Sequence, residues 1–333
     1  MTSIMTNASA MTALKTLNAT NKALETTQSR ISTGYRVAEA SDNAAYWSIA
    51  TTMRSDSKAL STVKDALGLG AAKVDTAYTG VNAAIDVVDE IKAKLVAARE
   101  PGVDRTKIQS EITQLQGQLS SNASAASFSG ENWMSVDSSA SGYNATKTVV
   151  ASFTRSSAGA VSVGTISINT ASTVLFDSAA NGATTGVGIL DTKYLATTGA
   201  AGSFVAAGTV HAAQTTAESA NVFTVSGLNI SALTNSNDDL ATLEGYIKGV
   251  DHAISRMTTA ASDLGAAKKR IDIQSTFVTN LMDTIDRGVG TLVDADMNKE
   301  STRLQALQVQ QQLGIQALSI ANSSSQSVLS LFR

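Results

Sequence analysis

Apolar side chains recur at every seventh position along two long stretches of the chain. The first stretch holds eight of them without a miss, at Tyr46, Met53, Leu60, Leu67, Val74, Val81, Val88 and Leu95. The second stretch holds eight more, at Leu243, Val250, Met257, Leu264, Ile271, Val278, Ile285 and Leu292. A seven-residue repeat keeps one side of a helix apolar and is typical of coiled coils. We therefore predict two long helical rods, one from each half of the chain, that pack antiparallel around a shared core.

A third, shorter helix is predicted between the two rods. The single proline of the chain, Pro101, stands next to Gly102, and this pair ends a helix. Beyond it, apolar side chains return at helical spacing, at Ile108, Ile112, Leu115 and Leu119. This amphipathic pattern predicts a helix that joins the bundle.

The middle of the chain, residues 130–235, has a different character. Charged residues become sparse, glycine becomes frequent, and short alternating runs appear at residues 161–168 and 222–225. Alternation of apolar and polar residues predicts strands. We therefore predict a mainly α protein with a β-rich insertion, and we expect the insertion to emerge at one end of the bundle.

The N-terminal segment carries its own weaker repeat. Ala10, Leu17, Leu24 and Ile31 are spaced by seven residues. A second row of inward-facing positions, which we call the companion seam, is expected at Leu14, Asn21 and Gln28. The segment is predicted to form a helix that pairs with the C-terminal segment.

The C-terminal segment has two apolar stripes and no charged residue from Leu304 to Phe332. At 100° per residue, the first stripe consists of Leu304, Leu307, Ile315, Leu318 and Leu329, and the second consists of Val309, Leu313 and Ile320. An uncharged polar strip separates them, made of Gln305, Gln308, Gln312, Gln316, Ser319, Ser323 and Gln326. The N-terminal helix can cover only one stripe, so we expect other subunits to cover the second.

Composition excludes several classes of function. The chain has no cysteine, only two histidines and a net charge of -3, which argues against thiol or histidine chemistry, cofactor and metal sites, and nucleic-acid binding. No apolar run is long enough to span a membrane. The first 20 residues lack the basic and apolar regions of a secretory signal, so if the protein leaves the cell, another route carries it. An enzyme is not predicted.

Two segments resemble the signatures of bacterial flagellins. Residues 30–37 (RISTGYRV) with residues 40–45 (ASDNAA) are similar to the N-terminal flagellin signature. Residues 296–305, residues 317–322 (ALSIAN) and the closing Leu331-Phe332-Arg333 are similar to the flagellin tail. The chain is thus identified as a member of the flagellin family, except in its middle segment.

The resemblance implies three layers. Residues 1–42 with 293–333 would form the terminal coiled-coil inner domain, residues 43–129 with 236–292 the rod domain, and residues 130–235 a variable outer domain. The amide and hydroxyl side chains at Gln305, Gln308, Gln312, Gln316, Ser319 and Ser323 would line a central channel. Inner-domain assembly would use twelve residues, which are Leu14, Leu17, Leu24, Ile31, Leu304, Leu307, Leu313, Ile315, Leu318, Ile320, Leu331 and Phe332. The rod core would be the apolar repeat from Met53 to Leu95 and from Leu243 to Ile285.

The implied function is that of a secreted, self-assembling subunit of the flagellar filament, the propeller of swimming motility. It would be exported unfolded through the hollow flagellum. Its partners would be itself, sister flagellins, the filament cap, junction proteins, an export chaperone and the export apparatus. A hook-filament junction protein and a secreted coiled-coil adhesin are the alternatives. Recognition by host immune receptors is not predicted, because Asn43 and Tyr46 stand where the family often has an acid and a glycine.

Overall fold

The computed structural model describes residues 7–180, 188–192, 194–195 and 222–330, and it confirms a mainly α protein. Five helices hold most of these residues: α1 (Ala8–Thr33), α2 (Ala44–Ala97), α3 (Arg105–Ala125), α4 (Asn237–Val293) and α5 (Met297–Ser330). Between α3 and α4 the described residues form eight strands: β1 (Ser127–Phe128), β2 (Glu131–Asn132), β3 (Ser135–Val136), β4 (Thr146–Arg155), β5 (Val161–Asn169), β6 (Phe176–Asp177), β7 (Tyr194–Leu195) and β8 (Val222–Phe223).

Local sequence explains where the helices begin and end. The Asn7 side chain accepts a hydrogen bond from the Ala10 amide at 3.0 Å and so caps the start of α1. Gly34 has a φ of 75° and ends α1 by donating its N–H to the Arg30 carbonyl. Asp104 caps α3 directly after the break predicted at Pro101.

The chain divides into two compact units, which we call the terminal unit and the central unit. The terminal unit contains the residues up to Ala59 and those from Asn280 onward, and the central unit is Leu60–Thr279. The long helices α2 and α4 each contribute to both units. The boundaries predicted for the three layers fall elsewhere, at 42/43 and 292/293, so the layer division stays a prediction.

In the central unit the heptad positions lie in the core. Twelve of them are buried, at Leu60, Leu67, Val74, Val81, Val88, Leu95, Leu243, Val250, Met257, Leu264, Ile271 and Val278. Lys92 pairs with Asp251, and Lys268 pairs with Asp75 at 2.5 Å, so α2 and α4 run antiparallel. In the terminal unit, Met53 and Ile285 are partly buried and pack on a cluster of Val37, Ala50, Val289 and Val293.

The described strands form two-stranded sheets. The longest sheet is the antiparallel hairpin β4–β5, with an irregularity between Val150 and Ser152. Antiparallel pairs also join β1 to β2 and β7 to β8, whereas β3 and β6 are parallel. The strand predicted at residues 161–168 is present as β5, and of the strand predicted at residues 222–225 only Val222–Phe223 is present, as β8.

The expectation that the insertion emerges at one end of the bundle was wrong for the described part. The hairpin packs along the side of the rods, where Val149 occupies the space that a side chain at Gly70 would fill. The Gln274 amide donates to the Ala151 carbonyl at 2.9 Å, so α4 also holds β4. Met134 lies against Gly80 in the same way. Gly70 and Gly80 of α2 therefore admit side chains of the insertion at close range.

A buried arginine, missed by sequence reasoning, holds the start of α3. Arg105 donates to the carbonyl of Ala98 at 2.9 Å, to that of Leu233 at 3.0 Å, and to the Asn235 side chain at 2.7 Å. These bonds fasten the end of α2 and the approach to α4 onto α3. Its sequence context gives no signal, because an arginine one residue inside a helix is ordinarily solvated.

Candidate assembly surface of the terminal helices

Helices α1 and α5 pair antiparallel through a narrow seam. The seam positions on α1 are fully or partly buried, at Ala10, Ala13, Leu17, Thr20, Leu24, Thr27 and Ile31, and the neighbouring Asn21, Ala23 and Arg30 are partly buried as well. The seam positions on α5 are Glu300, Leu304, Leu307, Gln311, Gly314, Leu318 and Ala321. Both sets alternate in steps of three and four residues, which is the spacing of a coiled-coil seam. Small and polar residues fill much of it, so few large apolar groups hold the pair together.

The companion seam of α1 lies one residue earlier than the sequence predicted. Thr20 and Thr27 are buried, whereas Leu14 is 49% exposed and Gln28 is also exposed. The two threonines bring α5 close because their side chains are small. The apolar character of Leu14 thus misled the prediction about the seam within the chain.

Polar side chains connect α1 and α5 at three levels along the helix axes. The Asn7 side chain donates to the Ala321 carbonyl at 2.9 Å. Further along α1, the Gln311 side chain donates to Asn21 at 2.9 Å. At the base of the pair, Arg30 and Glu300 form an ion pair at 3.3 Å, and Glu300 is 7% exposed.

The linkers that join these helices to the rods bind each other. The Ala295 amide donates to the Gly34 carbonyl at 2.9 Å, and the Arg36 and Val37 amides both donate to the Val293 carbonyl. Asp296 accepts from two amides in the first turn of α5 and caps that helix. Asp296 thus acts as the N-cap residue of α5.

The face of α5 opposite the seam is apolar and exposed. Three large apolar side chains lie there, 55–68% exposed, and they are Val309, Leu313 and Ile320. These three are the predicted second stripe. Ile315 was assigned to the first stripe, but it is 53% exposed and lies at the edge of the seam rather than in it. The seam follows a repeat of about 3.5 residues per turn, whereas the prediction used 3.6. Over the eleven residues from Leu304 this difference rotates Ile315 away from α1.

The other predicted residues of the terminal helices fall into two groups. The polar strip is exposed at every predicted channel position, at Gln305, Gln308, Gln312, Gln316, Ser319 and Ser323. The predicted assembly residues Leu331 and Phe332 lie outside the described residues, and the side chain of Leu329 does as well.

The described residues contain no group of His, Cys, Asp and Glu side chains that could hold a metal ion. No helix among residues 7–180 and 222–330 has the length and apolarity to cross a membrane.

Long antiparallel rods joined to a second pair of helices from the two ends of the chain are typical of a coiled-coil structural protein. Residues 4–139 match the family model described as the bacterial flagellin N-terminal helical region, and residues 247–332 match that of the bacterial flagellin C-terminal helical region. The chain belongs to the bacterial flagellin family. The resemblance seen in the sequence is thereby confirmed.

Several curated flagellins are similar to the chain over its full length. It is 55% identical to flagellin C of Rhizobium meliloti (strain 1021) over 337 residues, with 100% of both chains covered. It is 50% identical to a flagellin A of Rhizobium meliloti over 403 residues and 46% identical to a flagellin of Brucella melitensis over 334 residues, again with 100% of both chains covered.

Membership of the family confirms the predicted function and location. The chain is a structural subunit of the extracellular flagellar filament and assembles with copies of itself and sister flagellins. It is not an enzyme. The junction-protein and adhesin alternatives are not favoured.

Proposed function

We propose that subunits join the filament through the exposed stripe of α5 and that the terminal helices form its inner layer. The observation that carries the proposal is the pair of stripes on α5: one is covered by α1, and the opposite one is bare although it holds three large apolar side chains, Val309, Leu313 and Ile320. Such a stripe on a filament subunit is best explained by burial against neighbouring copies.

The polar strip of α5 is assigned to the channel wall. Its glutamine and serine side chains carry no charge and little apolar surface, so they neither trap a passing chain by charge nor adhere to it. In the same proposal the chain travels unfolded through this channel. The export apparatus, an export chaperone, junction proteins and the filament cap are its proposed partners on the way.

The seam between α1 and α5 supports folding that is coupled to assembly. Only three large apolar side chains of α1 enter it, Leu17, Leu24 and Ile31, while about thirty residues must be ordered. We propose that both ends are largely disordered in the monomer and fold on joining the filament.

Polar substitution of the bare stripe is expected to weaken polymerisation. Leu313→Gln with Ile320→Gln preserves helix propensity but removes two side chains that would each contribute about 1.5–3 kcal/mol when fully buried. The critical concentration for polymerisation, measured by sedimentation, should rise at least ~10-fold. Val161→Gln with Val163→Gln is the matched control, because both valines are similarly exposed but lie on β5, in the proposed outer layer. An unchanged critical concentration for the α5 variant would exclude the stripe as a subunit contact.

Replacement of the middle segment is expected to leave polymerisation intact. A short Gly/Ser linker in place of residues 138–231 removes the hairpin that packs on Gly70 and lowers the stability of the central unit. It leaves the terminal helices and most of the rods, where the proposed contacts lie. Electron microscopy of sedimented polymer checks the result. If the helices keep their circular dichroism signal but no filament forms, the middle segment belongs to the assembly interface.

A further inference from the structure

The apolar seam between α1 and α5 is compatible with more than one alignment of the two helices. Leu17, Leu24 and Ile31 are seven residues apart on α1, and Leu304, Gln311 and Leu318 are seven residues apart on α5. After a shift of one heptad, about 10 Å along the axis, the large apolar residues of each helix again face seam positions of the other helix. Hydrophobic contact alone therefore selects the alignment weakly.

The linker between α1 and α2 runs from Gly34 to Asn43. At about 3.3–3.6 Å per extended residue its full reach is about 33–36 Å, which exceeds the ~10 Å displacement. Hydrogen bonds between the two linkers, such as Ala295 to Gly34, oppose it and are the competing determinant.

The polar side chains, in contrast, meet each other in one alignment only: one Arg30 nitrogen reaches one Glu300 oxygen at 3.3 Å, while Arg30 Nε and Glu300 Oε2 have no hydrogen-bond partner. A heptad shift would place Arg30 opposite Leu307 or Val293 and would leave Glu300 buried without its cation. It would also separate Gln311 from Asn21, whose side chains now meet at 2.9 Å. Buried charges and amides that lose their partners are costly, whereas shifted leucines are not.

We propose that the Arg30–Glu300 and Asn21–Gln311 contacts set the antiparallel register of α1 against α5. The apolar seam supplies the attraction, and these two contacts reject the shifted alignments. They are thus specificity-determining positions for the fold that each subunit adopts at its terminal helices. The proposal concerns pairing within one chain and does not depend on which surfaces contact other subunits.

The chain offers a direct probe of this register because it has no cysteine of its own. A Cβ atom built on Gly314 lies 3.9 Å from the Cβ of Leu17. This distance is within the range of about 3.5–4.5 Å found for disulfides. In the variant L17C/G314C, the two thiols can therefore be oxidised to an intramolecular disulfide by oxidised glutathione in the proposed register, and a shifted pair cannot be cross-linked.

The test compares the cross-linked fraction at equilibrium in a glutathione buffer under polymerising conditions. The test variant carries L17C/G314C together with R30L/E300L/N21L/Q311L, so that leucine replaces the four side chains that make the two polar contacts. The matched control E25L/R303L removes one acid and one base from exposed positions of the same helices. We expect the control to match the background, and the quadruple variant to keep its helical circular dichroism while its cross-linked fraction falls at least threefold.

Two results would overturn the proposal. An unchanged cross-linked fraction would assign the register to the linkers or to the apolar seam. A fall in the cross-link together with a loss of helix would show that the contacts stabilise the pair without selecting its alignment. The charge-swapped variant R30E/E300R should retain the cross-link, because it restores opposite charges at the same height.

Discussion

Removal of residues 305–333 is expected to abolish polymerisation while the rods remain folded. The truncation takes away Leu307, Gly314 and Leu318, which cover α1, and the whole bare stripe of α5. Helix α1 then has no partner within the chain, and the subunit has lost its proposed contact surface. The central unit contains none of the deleted residues, so its buried heptads are unaffected.

Sedimentation with electron microscopy measures this loss, and circular dichroism verifies that the long helices persist. The variant with residues 138–231 replaced serves as the comparison, since it loses more residues but keeps both ends. Normal filaments from the truncated chain would contradict the proposed role of α5 in assembly.

Leu264→Asp is expected to destabilise the monomer strongly. Leu264 belongs to the apolar repeat of α4 and is 1% exposed. A carboxylate there would be buried without a cation, which costs about 3–5 kcal/mol. The midpoint of thermal unfolding of the central unit should fall by many degrees.

Ala266→Asp is the matched control for this substitution. Ala266 lies two residues further along the same helix and is exposed, so its replacement should cost only the difference in helix propensity, about 0.5 kcal/mol. Equal midpoints for the two variants would mean that the buried register of α4 has been misassigned.

The rods were predictable from the sequence because their pattern is strict. An apolar residue at every seventh position fixes which side of α2 faces α4, and Leu67 or Val250 can occupy no other side without exposing the whole repeat. The break at Pro101 and the N-cap at Asp104 are signals in the local sequence. In the structure α2 ends shortly before Pro101, and α3 begins directly after Asp104.

The terminal pair was less predictable because its seam is weakly apolar. Thr20 and Thr27 are buried by the close approach of two helices, which depends on small side chains rather than hydrophobicity. Ile315 was assigned to the covered stripe because the prediction used 3.6 residues per turn, whereas the seam follows about 3.5. This difference becomes large enough to matter only over several turns. The Arg30–Glu300 pair joins residues far apart in sequence, and no local pattern connects them.

The position of the insertion also depended on tertiary structure. Gly70 lies in the middle of a helix, where glycine is unfavourable, and its sequence gives no hint that Val149 occupies the vacant space. The contact depends on how the hairpin packs against α2, which the local sequence does not determine.

The central claim is that the bare stripe of α5 becomes buried when subunits assemble. Leu313→Cys introduces a unique thiol on this stripe, since the chain has no cysteine, and Ser157→Cys introduces one at an exposed position in the turn between β4 and β5. The rate of reaction with a maleimide reagent is measured for each variant as monomer and as filament. We predict that the thiol at position 313 reacts at least ~10-fold more slowly in the filament, as expected for a buried group, while the thiol at position 157 reacts at the same rate in both states. Equal rates for position 313 in monomer and filament would contradict the account.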